Sequence, residues 1–231
     1  VHEEVRRRVL DANLDLAASG LAHASFGNVS ELDRDAGLVA IKPSGVPYAQ
    51  LDLEDVAVVR LEDGVHVAGL RPSSDTPTHL ELYRAWEKVG GIAHTHSTWA
   101  TSWAQACRPI PCLGTTHADS FAAAVPCTRP LGDDECGDEY ERLTGAVIVE
   151  TFADLDPHEV PAVLVASHGA FAWGDSATTA VEHAAALEEV AHVAFNTVLL
   201  AASAVPIGAV LHERHFRRKH GATAYYGQLR G

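Results

Sequence analysis

The stretch "GGIAHTHSTWA", residues 90–100, ends an apolar segment in two histidines separated by one threonine. In an extended strand successive side chains alternate faces, so His94 and His96 point the same way and Thr95 the other. Two imidazoles on one face can share one cation. A third candidate is His168, which follows the apolar run "PAVLVAS" and precedes a glycine, where a side chain emerges from a sheet instead of packing into it. Asp75 in "RPSSDTPTH" offers a carboxylate that could fix the geometry or relay a proton. Three imidazoles with an acid suit Zn²⁺ acting as a Lewis acid, and by ligand type also Mn²⁺, Co²⁺ or Ni²⁺. With 14 histidines in the chain, one H-x-H pair arises readily by chance. His2, His66, His158, His183 and His192 lie in charged or helical contexts and read as ordinary surface or core residues.

Three loops offer small residues and donors: "FGNVS" with Gly27 and Asn28, "KPSG" with Lys42, Ser44 and Gly45, and "PSSD" with Ser73 and Ser74. Glycine lets backbone N–H groups approach an anion, while Ser, Asn and Lys add hydrogen bonds and charge. Each loop alone reads as a turn. Together they could hold one phosphate, and "SSD" joins that cup to a candidate metal ligand. A chain of net charge -14 repels anions at long range, so such a site must work through local donors.

The elements that must position these groups are legible in outline. The spacing of Val5, Val9, Leu10, Leu14 and Ala17 predicts an amphipathic helix over 3–18 that stops near Gly20. Strands are expected at 38–42, 56–60 and 65–70, the last two joined by the turn "LEDG". A helix is expected over 76–88, then the strand "IAHTH", then a helix capped by Ser97, with further strands at 146–151 and 162–167. The longest helix is expected over 176–203, capped by Asp175 or Ser176. With no repeat or low-complexity linker, 231 residues and 47% hydrophobic content point to a single α/β domain with a mostly antiparallel sheet.

Composition bounds the function. The acidic balance argues against nucleic-acid binding, because phosphate-backbone affinity needs clustered Lys and Arg, and the single basic run, "HERHFRRKH", comes late. No apolar run reaches the roughly 20 residues of a membrane span, and "VHEEVRRRVL" is too charged for a secretory signal. A soluble, cytoplasmic protein is expected. Cys107, Cys112, Cys127 and Cys136 form no C-x-x-C pair and read as reduced thiols.

The segments "GNVS", "IKPSGV", "RPSSDTPTHLELYRAW", "GGIAHTHSTWATSWAQA", "LGTTHAD", "PCTRPL", "VIVETF", "SHGAFAWG", "ALEEVAHVAF" and "RKHGATAYYGQ" resemble the L-ribulose-5-phosphate 4-epimerases of the class II aldolase and epimerase superfamily, from about residue 5 onward. The resemblance implies a three-layer fold over 1–231, with a central mostly antiparallel sheet flanked by helices. It implies a zinc enzyme that interconverts L-ribulose 5-phosphate and D-xylulose 5-phosphate by breaking and re-forming the C3–C4 bond. Carried over by matching motif, the metal ligands are Asp75, His94, His96 and His168. The substrate phosphate falls to Gly27, Asn28, Ser44, Gly45, Ser73 and Ser74, with Lys42 assisting. Asp119 of "TTHAD" and Tyr226 of "AYYGQ" become the acid/base pair. The family assembles as a cyclic tetramer with sites between subunits. That would direct the segment 208–231, with His215 and Arg218, toward a neighbour's site. A phosphorylated ketopentose is then the expected substrate, from L-arabinose use or another route feeding L-ribulose 5-phosphate.

Two departures stand out: Trp99 where the family more often has histidine, and Ala170 in place of a frequent proline. Two rivals remain. Class II aldolases of the L-fuculose- or L-rhamnulose-phosphate kind typically carry Glu where this chain has Asp75, and lack "TTHAD" with "AYYGQ". Adducin-like head domains lose the metal histidines, which are all present here.

Overall fold

The computed structural model describes residues 2–220 and 224. Tyr226 lies outside the described residues. One seven-stranded sheet, every neighbouring pair antiparallel, runs in the order β4-β3-β2-β1-β5-β7-β6. Its strands are β1 (Asn28–Asp33), β2 (Leu38–Ile41), β3 (Ala57–Arg60), β4 (His66–Ala68), β5 (Gly91–Thr95), β6 (Ala162–Val165) and β7 (Gly169–Gly174). The helices are α1 (Glu3–Ala18), α2 (Thr76–Ala85), α3 (Thr98–Gln105), α4 (Thr115–Ala118), α5 (Tyr140–Thr151), α6 (Ala177–Leu200) and α7 (Ala209–His220).

Alternation along β1 sorts the layers. Ser30 faces α2, where its hydroxyl meets His79 Nδ1 at 2.7 Å and the Tyr83 hydroxyl at 2.8 Å. Glu31 faces the opposite side, where its carboxylate accepts from Arg8 of α1 and from the Ala177 amide at the start of α6. Helices therefore cover both faces of the sheet, as expected. On the α2 side, Trp173 of β7 packs on Trp86 and Phe152 with ring centroids 4.6 and 5.2 Å apart, joining the sheet to α2 and α5. On the other side Asn13 of α1, fully buried, donates to the Val9 and Val29 carbonyls and accepts from the Val29 amide.

The central strands β1, β5 and β7 are buried along nearly all their length, which removes the polar alternation that marks a half-exposed strand. For that reason β1 and β7 escape a pattern reading. The expected strand at 146–151 is instead the last half of α5. Its β-branched "AVIVET" looks extended in isolation, but Thr144, Val147 and Ile148 are buried at helical spacing. Residues 86–88 fall outside α2, and β5 opens at Gly91 and ends at Thr95, one residue short of His96. Ser176 does cap α6, its hydroxyl accepting from the Thr179 amide. Ser97 occupies the N-cap of α3 without a side-chain cap bond.

Candidate metal and anion site

The strand register assembles the site. Asn28 pairs with His94 across β1 and β5, and His94 with Phe171 across β5 and β7, so the three side chains share the α2 face. The His94 ring stacks on Phe171, centroids 4.2 Å apart at 19°. Its Nδ1 donates to the Ala170 carbonyl at 3.0 Å, which leaves Nε2 as the lone-pair nitrogen in the neutral ring. That Nε2 lies 3.1 Å from His96 Nε2, and 4.0 Å from Asp75 Oδ2. His168 sits in the tight turn between β6 and β7. The turn is reached through Ser167 in the left-handed region at φ 63, and the ring comes 4.9 and 5.0 Å, centroid to centroid, from those of His94 and His96.

Ligating nitrogens of His94, His96 and His168 all lie within 4.8 Å of one another, a group that could hold a metal ion. Loss of hydration, strongest at buried His94 and partial at His168 and at the more exposed His96, favours the lone-pair form a metal needs. It lowers the pKa of His94 to about 3, with Asp75 only partly offsetting it, and pushes His96 and His168 below the usual imidazole value. Burial alone would raise the Asp75 carboxyl, and the hydrogen bond from the Asn28 amide favours its charged form. Asn28 Nδ2 donates to Asp75 Oδ2 at 2.6 Å and to Ser73 Oγ at 3.1 Å, while its buried Oδ1 has no partner among the described residues. Neutral imidazoles, a fixed tautomer and an oriented carboxylate fit a divalent cation.

The anion loops converge on the same cleft. Pro43 and Pro72 form an isolated antiparallel bridge, flanked by Ser44 N–H to Arg71 O at 2.9 Å and Ser73 N–H to Lys42 O at 3.2 Å, which seats "KPSG" against "PSSD". Ser73 and Ser74 sit just ahead of Asp75, the N-cap of α2, and the Ser73 carbonyl accepts from the Thr76 amide at 3.1 Å, which fixes the loop on the helix. Gly27 has φ +78, and a Cβ there would lie 2.8 Å from the His94 carbonyl oxygen; only glycine lets "FGNVS" come this close to the metal strand. The cleft, about 350 Å³, is lined by every expected metal ligand and by Gly27, Asn28, Lys42, Ser44, Gly45, Ser73 and Ser74. It is also lined by Tyr140 and Glu141, which the sequence reading missed because it did not recognise the start of α5. The Tyr140 hydroxyl is 3.4 Å from His168 Nδ1. No periodicity could have flagged a residue at a helix start, although an aromatic beside an acid just ahead of an apolar helix was visible.

Asp119, His215 and Arg218 do not line this cleft. They form a separate cluster where α7 meets α4, with Asp119 accepting from Arg218 Nε at 2.9 Å and from His215 Nδ1 at 3.0 Å. Burial would raise the Asp119 carboxyl, and these partners more than offset it, leaving it below the usual range.

Residues 7–195 match the model of the class II aldolase and adducin N-terminal domain family. The chain belongs to this family. Among curated relatives, an L-ribulose-5-phosphate 4-epimerase, UlaF, from Salmonella paratyphi C is 49% identical over 98% of this chain and 99% of its own. Among solved structures, an L-fuculose 1-phosphate aldolase covers 94% of this chain and 97% of its own at TM-score 0.79 and 23% identity, a likeness of fold. The L-fuculose-1-phosphate aldolase of Thermus thermophilus is 25% identical over 86% of this chain and 97% of its own, with TM-score 0.67. Among the described residues, no helix of this class II aldolase-family chain is long and apolar enough to cross a membrane.

Proposed function

We propose that this chain is a divalent-metal-dependent L-ribulose-5-phosphate 4-epimerase, interconverting L-ribulose 5-phosphate and D-xylulose 5-phosphate. One observation carries the choice over an aldolase: 49% identity along nearly the whole of both chains to a protein of that name, against 23% to an L-fuculose 1-phosphate aldolase of the same fold.

His94, His96 and His168, with Asp75 beside them, would hold the cation, with Zn²⁺ the natural choice for imidazole-rich ligation. When bound, it supplies Lewis-acid stabilisation of the negative charge that develops on the ketose oxygens as the C3–C4 bond breaks. The chain's own groups do the rest. Gly27, Asn28, Ser44, Gly45, Ser73 and Ser74, with Lys42 assisting, line the same cleft and hold the phosphate, and this tether keeps the glycolaldehyde phosphate fragment in place while its aldehyde turns its other face to the dihydroxyacetone enediolate. Asn28 orients Asp75 through Nδ2. Cleavage of either epimer removes a proton from a C4 hydroxyl, and that hydroxyl lies on opposite sides in the two sugars, so two acid/base groups are required. Asp119 and Tyr226 take these roles. Asp119 stands outside the cleft of its own chain, which supports a homotetramer in which residues 208–231 and Asp119 complete a neighbour's site. A phosphorylated sugar cannot cross a membrane unaided, so the reaction belongs in the cytoplasm.

The test is a coupled assay for D-xylulose 5-phosphate from L-ribulose 5-phosphate, with and without a chelator, with released aldehyde trapped. Chelator-sensitive epimer with almost no free glycolaldehyde phosphate is the expected result. Free aldehyde, or no turnover by metal-loaded protein, would transfer the chain to an aldolase of another ketose phosphate.

A further inference from the structure

His96 is the least supported of the three clustered imidazoles. His94 is buried and locked by Ala170 and Phe171, whereas His96 is exposed and lies one residue past the end of β5, beyond the reach of the ladder with β7. What fixes its backbone must come from the other side, from α3, which starts two residues later.

The first turn of α3 lacks the usual local cap. The Ser97 hydroxyl is committed to Thr95 Oγ1 at 3.2 Å and does not accept from the helix. The free amides are met instead by Glu188, from the middle of α6: Oε1 accepts from the Trp99 N–H at 2.8 Å and Oε2 from the Ala100 N–H at 2.9 Å. A carboxylate spanning two successive N-terminal amides satisfies both and complements the positive end of the helix. The arm that delivers it is itself fixed. Trp103 Nε1 donates to the Ala191 carbonyl at 3.0 Å, Trp99 stacks on His192 with centroids 4.0 Å apart, and the first amide of α6 is held by Glu31.

We propose that Glu188 is a positioning residue for the metal centre: by clamping the start of α3 onto α6 it holds His96 in line with His94 and His168, and so sets the affinity for the cation. This rests on the metal-site reading. Nothing in the H-x-H motif signals it, because the clamp comes from 92 positions downstream of His96 and exists only in the fold.

The experiment measures the dissociation constant of Zn²⁺, by competition with a chromophoric chelator, and the visible spectrum of Co²⁺, on full-length wild type, Glu188→Gln, Glu188→Ala and Ser176→Ala. Glu188→Gln keeps the shape but offers one oxygen to two amides. By analogy with other groups that orient metal ligands, affinity should fall about tenfold in Glu188→Gln and up to about 100-fold in Glu188→Ala. Ser176→Ala removes an ordinary cap from the same α6 and should lower the melting midpoint by about 2–4 °C with metal affinity unchanged. High metal should restore turnover in Glu188→Gln. Wild-type protein that binds neither ion overturns the metal reading, and this inference with it. Wild type that binds while both Glu188 variants keep its affinity within twofold, losing only melting temperature as Ser176→Ala does, overturns the positioning role alone.

Discussion

Replacing Lys42 with methionine should make this protein more stable and less able to hold a phosphate. Lys42 is 1% exposed, at the end of β2. Its Nζ donates only long bonds, 3.3 Å to the Ser25 carbonyl and 3.4 Å to the Pro43 carbonyl, and lies 4.8 Å from the centre of the Tyr48 ring. No carboxylate pairs with it among these neighbours, and burial lowers its pKa from 10.5 to about 8. At about 1.36 kcal/mol per pH unit, that gap means the folded state bears about 3 kcal/mol for carrying the ammonium. The sign follows from proton counting. Between pH 8 and 10.5 the unfolded chain holds the Lys42 proton that the folded chain has released, so stability rises with pH across that window; below pH 8 the cost is present in full. Methionine keeps the unbranched stem without the charge. After subtracting the two weak hydrogen bonds to the Ser25 and Pro43 carbonyls, which methionine cannot make, Lys42→Met should gain about 1–3 kcal/mol at pH 7, and the gain should shrink as pH rises from 8 toward 10.5. Urea unfolding of both proteins at pH 7, 8, 9 and 10 reads the difference directly, free of every other titrating group the two share. Inorganic phosphate should then raise the midpoint of the wild type more than that of the variant, because only the wild type has an ammonium to neutralise. A variant less stable than wild type at pH 7, or a difference that stays flat to pH 10, would refute the reasoning.

Other outcomes follow from the same geometry. His96→Asn should abolish metal binding and epimerisation together, as measured by metal analysis and turnover; full zinc content at the wild-type rate would remove His96 from the ligand set. Trp173→Ala should cost about 3–5 kcal/mol, since it empties the space among Trp86, Phe152 and the Pro157 carbonyl that ties β7 to α2 and α5. A loss under about 1.5 kcal/mol by urea unfolding would mean that this cluster is not where the two elements are joined. α7 has no buried residue in this chain and meets α4 through Asp119, so Asp119→Asn should speed hydrogen exchange across residues 209–220 while β5 stays protected. In the wild type the same release should appear only in acid. The depressed carboxyl contributes fully above its ordinary pKa near 3.8, and that contribution is lost as pH falls through the lower folded value. Unchanged exchange in Asp119→Asn would show that α7 is held by something other than this carboxylate.

What the sequence determined by itself is chiefly chemistry and local pattern. Two histidines at i and i+2 share a face if the chain stays extended, and "SSD" puts two hydroxyls beside a carboxylate; His94 at the end of β5 and His96 just past it do bring their rings together, 4.8 Å apart, and "SSD" sits ahead of α2. Amphipathic α1 and the long α6 were legible because their spacing or length outweighs local noise. Tertiary structure decided what depends on partners distant in the chain. The central strands β1 and β7 carry no alternation because both of their faces are covered, and "AVIVET" is helical because α2 and the sheet bury its helical face, which local β propensity cannot foresee. The tautomer of His94 is set by a carbonyl 76 residues away, the cap of α3 by Glu188 and the carboxylate of Asp119 by Arg218. Residue types and spacing limit which bonds can form. Which of them do form depends on desolvation and on geometry, and both exist only once the sheet has brought the segments together.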